Sequence, residues 1–92
     1  MCFTMSLKLL MKIRETTKVH DVAAFIRRAL ASEVKTIQST DFESLRSGNM
    51  CSLVVRATRD IVEMVADRST QQLASMSCLI ESCCWSFIDK QQ

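Results

Sequence analysis

The sequence predicts an all-α protein: a small bundle of three to four helices with short connectors, forming a single helical domain over residues 1–92. Three observations predict it. The chain has one glycine, Gly48, and no proline, whereas sheets are joined by turns that draw heavily on both. Apolar residues recur at helical spacing along most of its length. The composition, 48% hydrophobic and 24% charged, is that of a globular chain and not of a disordered one.

Taken in order, the first segment places Phe3, Leu7, Leu10 and Met11 on one helical face, with Lys8, Lys12 and Glu15 opposite. The second gathers Val22, Phe25, Ile26, Ala29, Leu30 and Ile37, with Arg27, Arg28 and Lys35 on the far side. The two stripes are out of phase, which predicts a turn at "TTKVHD" with Thr17 or Asp21 as N-cap. "STDFESLRSGN" predicts a second break. Thr40 and Glu43 have capping-box spacing, Gly48 suits a helix end, and Asn49 suits the cap of the next helix.

That third helix is expected to carry Met50, Leu53, Val54, Ala57, Ile61, Met64 and Val65 on its apolar face. Arg56 with Asp60 and Arg59 with Glu63 are i,i+4 ion pairs on the other face. Ser69 with Gln72 predicts a further start or a kink. In the last helix Leu73, Met76, Ile80, Cys83 and Phe87 repeat as a heptad seam, widened by Cys84 and Ile88. Trp85 and Cys78 fall off that seam. The tryptophan is expected to be covered by the N-terminal helix or left for a partner.

The patterns exclude more chemistry than they suggest. The cysteines of "CLIESCCW" are spaced C-x4-C-C, with the single His20 far away. Structural zinc asks for paired ligands, so no metal site is expected and Cys83 and Cys84 read as small core hydrophobes. Five cysteines without a framework fit a reducing, intracellular compartment, with cytoplasm favoured. The basic residues before Glu15 leave organelle targeting by the first helix open.

No serine, cysteine or carboxylate partners His20, and no glycine-rich phosphate loop occurs; the chain is expected to be neither an enzyme nor a cofactor binder. A net charge of +2, with no aromatic residues among Arg27, Arg28 and Lys35, argues against nucleic-acid binding. The longest uncharged run, Ser69 to Ile80, is too short and polar to span a membrane. Glu33 and Arg14 stand within apolar arcs, so each needs a partner or the surface; an Arg14–Glu33 pair is one solution.

What remains is association. A chain of 92 residues buries only a modest core, and its apolar stripes exceed that need. The expected function is a non-enzymatic protein–protein interaction module or accessory subunit. Its partner, another protein or a second copy, would meet the C-terminal helix at Leu73, Met76, Ile80, Cys83, Trp85 and Phe87.

One family resemblance accompanies this reading. "VAAFIRRAL" followed by "STDFESLRSGNMCSLVVRATRD" resembles the N-terminal helical region of the regulatory subunits of the translation initiation factor 2B exchange factor. Val22, Ala23, Ala24, Asp41, Ser44, Gly48, Leu53 and Arg56 carry it. The resemblance implies a helical bundle of the kind that precedes an α/β domain, and a truncated relative with a role in translation regulation.

Overall fold

A computed structural model describes residues 1–16, 21–37 and 48–91. The described residues form β1 (Cys2–Ser6), α1 (Leu7–Thr16), α2 (Val22–Glu33), β2 (Met50–Val54), α3 (Arg59–Gln71) and α4 (Met76–Gln91). The expectation of an all-α bundle is therefore corrected. The protein is mostly helical but mixed, because β1 and β2 pair as a two-stranded antiparallel sheet.

Alternation explains both strands. In β1, Phe3 and Met5 are buried, Cys2 is exposed and Thr4 half-buried, with Ser6 buried where the strand meets α1; in β2, Cys51 and Leu53 are half-buried while Met50, Ser52 and Val54 are exposed. That is the period of two expected for a half-covered sheet. Phe3, placed above on a helical face with Leu7 and Met11, is a strand residue facing the core. The helix begins at Leu7; it buries Leu10 as expected, together with Leu9 and Ile13. Leu7 and Met11 are exposed. Likewise Asn49 caps no helix; its carbonyl accepts the Leu7 N–H at 2.8 Å and extends the sheet by one rung.

Each helix start is satisfied by a side chain. Ser6 Oγ accepts the Leu9 N–H at 3.4 Å at the head of α1. Asp21 caps α2 through the Ala24 N–H at 3.0 Å, as one of the two expected caps; Thr17, the other, lies outside the described residues, as do Thr40 and Glu43. Thr58 Oγ1 accepts the Ile61 N–H at 3.4 Å for α3. Ser75 Oγ accepts the Cys78 N–H at 3.1 Å for α4. Ser69 does not open a helix, since α3 continues to Gln71. The expected break exists, but it lies a few residues later.

That break is a Schellman turn. Leu73 N–H donates to Thr70 O and Ala74 N–H to Ser69 O, with Leu73 at φ 52°. This is the left-handed region that favours glycine. A β-carbon there costs about 1 kcal/mol relative to glycine, and Leu73 is 95% exposed, so little packing offsets the cost. Leu73→Gly is expected to stabilise the fold by about 1 kcal/mol in urea titration.

α4 lies at the centre, touching α1, α2, α3 and β1. Leu79, Ile80, Cys83, Cys84 and Ile88 are buried in one cluster with Ile13, Ile26, Leu30 and Val65. Arg68 of α3 and its C-cap Gln72 close the end of α2: Arg68 donates to Val34 O at 3.2 Å and to Ile37 O at 2.6 Å, and Gln72 Nε2 donates to Ile37 O at 2.7 Å. A cation at a helix C-terminus also meets the negative end of its dipole.

Candidate interaction surface

The six residues of the expected interface do not form one surface. Ile80 and Cys83 are fully buried, Trp85 is 8% exposed, Met76 and Phe87 are half-buried, and Leu73 precedes α4 and is 95% exposed. The seam is covered from within the chain. Phe87 meets Phe25 of α2 edge to face, with ring centroids 5.3 Å apart. Trp85 lines a groove of about 380 Å³ with Lys8, Met11, Lys12 and Glu15 of α1.

The buried acid Glu33 pairs with Lys90, 2.8 Å from Oε2, and accepts from Ser86 Oγ at 3.4 Å. Arg14 is exposed at the end of α1, so Glu33 looks to α4 and not to Arg14. Of the i,i+4 pairs, Arg59–Glu63 forms at 3.1 Å between exposed side chains, where such pairs contribute little. Arg56 lies before the helix. His20 lies outside the described residues.

Burial sets the chemistry of the thiols. It pushes Cys83 up from 9.0 to about 12, reinforced by the Glu33 carboxylate and opposed by Arg68. Burial, followed by Cys83 and Glu81, raises Cys84 well above its ordinary value. At pH 8 a thiol reagent is expected to modify the exposed Cys2 first and to reach Cys83 and Cys84 only after unfolding. Both thiols hold their protons more tightly folded than unfolded. Their contribution to stability is therefore full below pH 9 and is lost as the pH climbs towards 12. The chain has no tyrosine to add a phenol titration in that window. A urea midpoint that stays level between pH 9 and 11 would contradict this.

The sheet treats its two edges differently. Met1 and Val55 exchange backbone hydrogen bonds at 3.1 and 2.9 Å, and Leu7 N–H donates to Asn49 O. With the register Phe3↔Leu53 and Met5↔Cys51, these alternate positions are the hydrogen-bonded pairs. Thr4 and Ser6 therefore turn their amides away from β2, and α4 meets both. Thr4 N–H donates to Ser77 Oγ at 3.0 Å and Ser6 N–H to Glu81 Oε1 at 2.6 Å. Ser77 and Glu81 are one helical turn apart, which matches alternate amides along a strand. Glu81 also supplies from afar what the third helical residue supplies in a capping box.

By the same alternation Met50, Ser52 and Val54 turn their N–H and C=O groups outward from β2. All three are exposed, Val54 at 74% and Met50 at 42%. The edge carries no charge, proline or bulge, the devices that ordinarily blunt it. A shallow groove of about 420 Å³ crosses the sheet beside it, lined by Cys2, Phe3, Thr4, Ser52, Leu53, Val54 and Ser77. The sequence carries no such signal: in "MCSLVV" only Ser52 is polar, so the outward set Met50, Ser52 and Val54 does not stand out from Cys51, Leu53 and Val55.

Among the described residues no group of three His, Cys, Asp or Glu side chains is placed to hold a metal. No helix there is long and apolar enough to cross a membrane. Of the residues that carry the translation-factor resemblance, Val22, Ala23 and Ala24 begin α2, Leu53 lies in β2, and Gly48 and Arg56 flank it. Asp41 and Ser44 lie outside the described residues. No protein-family model matches the chain, and no curated protein or solved structure matches it.

Proposed function

We propose that the protein is a non-enzymatic protein–protein interaction module that docks a partner strand on the outer edge of β2. The observation that carries this reading is the contrast between the edges. Two of the three outward amides of β1, those of Thr4 and Ser6, are taken by side chains of α4, while β2 presents an uncharged, exposed edge with two apolar side chains beside it. Strand addition uses such an edge: backbone groups supply the hydrogen bonds, and alternate side chains supply selectivity. The docking surface therefore moves from the C-terminal helix, which the core consumes, to the sheet. The alternative, a truncated relative of the translation initiation factor 2B regulatory subunits, is supported by the sequence resemblance alone.

Ser52→Pro tests the reading. Proline removes an outward N–H that the β1–β2 ladder does not use, so the fold should survive while strand addition fails. Proteins that co-purify with the wild type from its own cells should be lost with the folded variant. Retention of the same set would contradict docking at this edge.

A further inference from the structure

We infer that the occupant of the β2 edge is β2 of a second copy, paired antiparallel about a two-fold axis through Ser52. This rests on the reading of that edge as the docking surface and names its partner.

Three features of the edge favour its own copy. The first is register. Only Met50, Ser52 and Val54 face outward, and antiparallel pairing centred on Ser52 sets each against an outward-facing residue: Met50 against Val54 of the second copy, Ser52 against Ser52, Val54 against Met50. All three are then hydrogen-bonded pairs, and no N–H or C=O of the edge is stranded.

The second is side-chain chemistry. Met50 and Val54 are among the exposed large apolar side chains of the protein, and this pairing places them directly across from each other. The small hydroxyls of Ser52 meet at the axis, where two bulky or charged groups would clash.

The third is charge. The strand has none, and its nearest charged neighbour, Arg56, falls opposite Gly48 of the second copy, so no like charges meet.

Joining the edges converts a two-stranded ribbon into a four-stranded sheet, β1-β2-β2-β1, with Ser77 and Glu81 of each α4 holding the Thr4 and Ser6 amides of the far edges. Two strands alone are marginal, and three or more form a stable sheet. Five-residue strands bury less than a standard interface, which places the dimer in the weak, concentration-dependent class.

Sedimentation equilibrium of the full chain in reductant, over a range on the order of 10 μM to 1 mM, should show the mass rising from one copy toward two. Val54→Lys, which puts a charge on the edge without touching the inner ladder, and Ser52→Pro should both hold it at one copy while circular dichroism stays unchanged. Should Ser52→Pro fail to fold, Val54→Lys decides.

Cross-linking tests the register. Opposed residues in a hydrogen-bonded pair have α-carbons about 5.5 Å apart, within the roughly 4.4 to 6.8 Å range of disulfides. In a Cys2→Ser background, Ser52→Cys should oxidise to a 52–52 linked dimer. Met50→Cys should link to Val54→Cys when the two are mixed, and link poorly to itself.

A wild type that stays at one copy throughout the range overturns self-pairing, and leaves strand docking to the co-purification experiment. A dimer that persists in folded Val54→Lys overturns both. A dimer lost in Val54→Lys but lacking the 52–52 link overturns the two-fold register.

Discussion

Ile80→Asp is expected to leave the chain unfolded at 25 °C, with loss of the helical far-UV signal and of any cooperative melt. Ile80 is fully buried in the second turn of α4, which packs on α1, α2, α3 and β1. Truncating such a side chain costs about 2–5 kcal/mol, and an unpaired buried carboxylate adds several more. Domains of this size have about 5–15 kcal/mol in all. Leu73→Asp is the control, because Leu73 stands seven residues away on the same predicted seam. At 95% exposure it should shift stability by no more than about 0.5 kcal/mol. A folded Ile80→Asp protein would show that α4 is not the core.

Glu81→Ala is expected to cost about 1–3 kcal/mol, read as a lowered urea midpoint. The Glu81 carboxylate is 2% exposed and holds the Ser6 amide at 2.6 Å. Ser6 is itself fully buried and caps α1. Removing the carboxylate leaves a buried N–H without its acceptor, opens a cavity, and loosens β1 and α1 together. Glu81→Gln keeps a carbonyl acceptor at the same reach and should cost less than half as much. Equal losses for the two variants would mean that the Ser6 amide is not what Glu81 serves.

The helices were more legible than the sheet. Phe25, Ile26, Ala29 and Leu30 mark the buried face of α2, and Asp21 caps it as its position suggested. Ile80, Cys83, Cys84 and Ile88 mark α4 equally well. β2 was hidden because Met50, Leu53, Val54 and Ala57 satisfy helical spacing, while Met50 and Val54 on the exposed face are as apolar as Cys51 and Leu53 on the covered one. Five residues are too few to separate the two periods. What decides is pairing with β1, a contact spanning 50 residues at Phe3↔Leu53, and no local pattern reports it. The scarcity of glycine and proline misled for a related reason. β1 and β2 are not joined by a tight turn, so they need no hairpin residues.

What covers the α4 seam was hidden in the same way. A heptad seam marks a face that must be covered but does not say by what, and here Phe25 meets Phe87 while Ile80 and Cys83 join the common core. The partner of Glu33 was also non-local: Lys90 lies 57 residues away.

Residue-resolved amide exchange on dilute protein tests the central claim, a sheet with one edge covered by α4 and one edge open. Phe3, Met5, Cys51 and Leu53 should exchange slowly through the ladder, and Thr4 and Ser6 slowly through Ser77 and Glu81. Met50, Ser52 and Val54 should exchange fast, and should slow only as the protein is concentrated. Slow exchange at Met50, Ser52 and Val54 in the dilute chain, or fast exchange at Thr4 and Ser6, would contradict it.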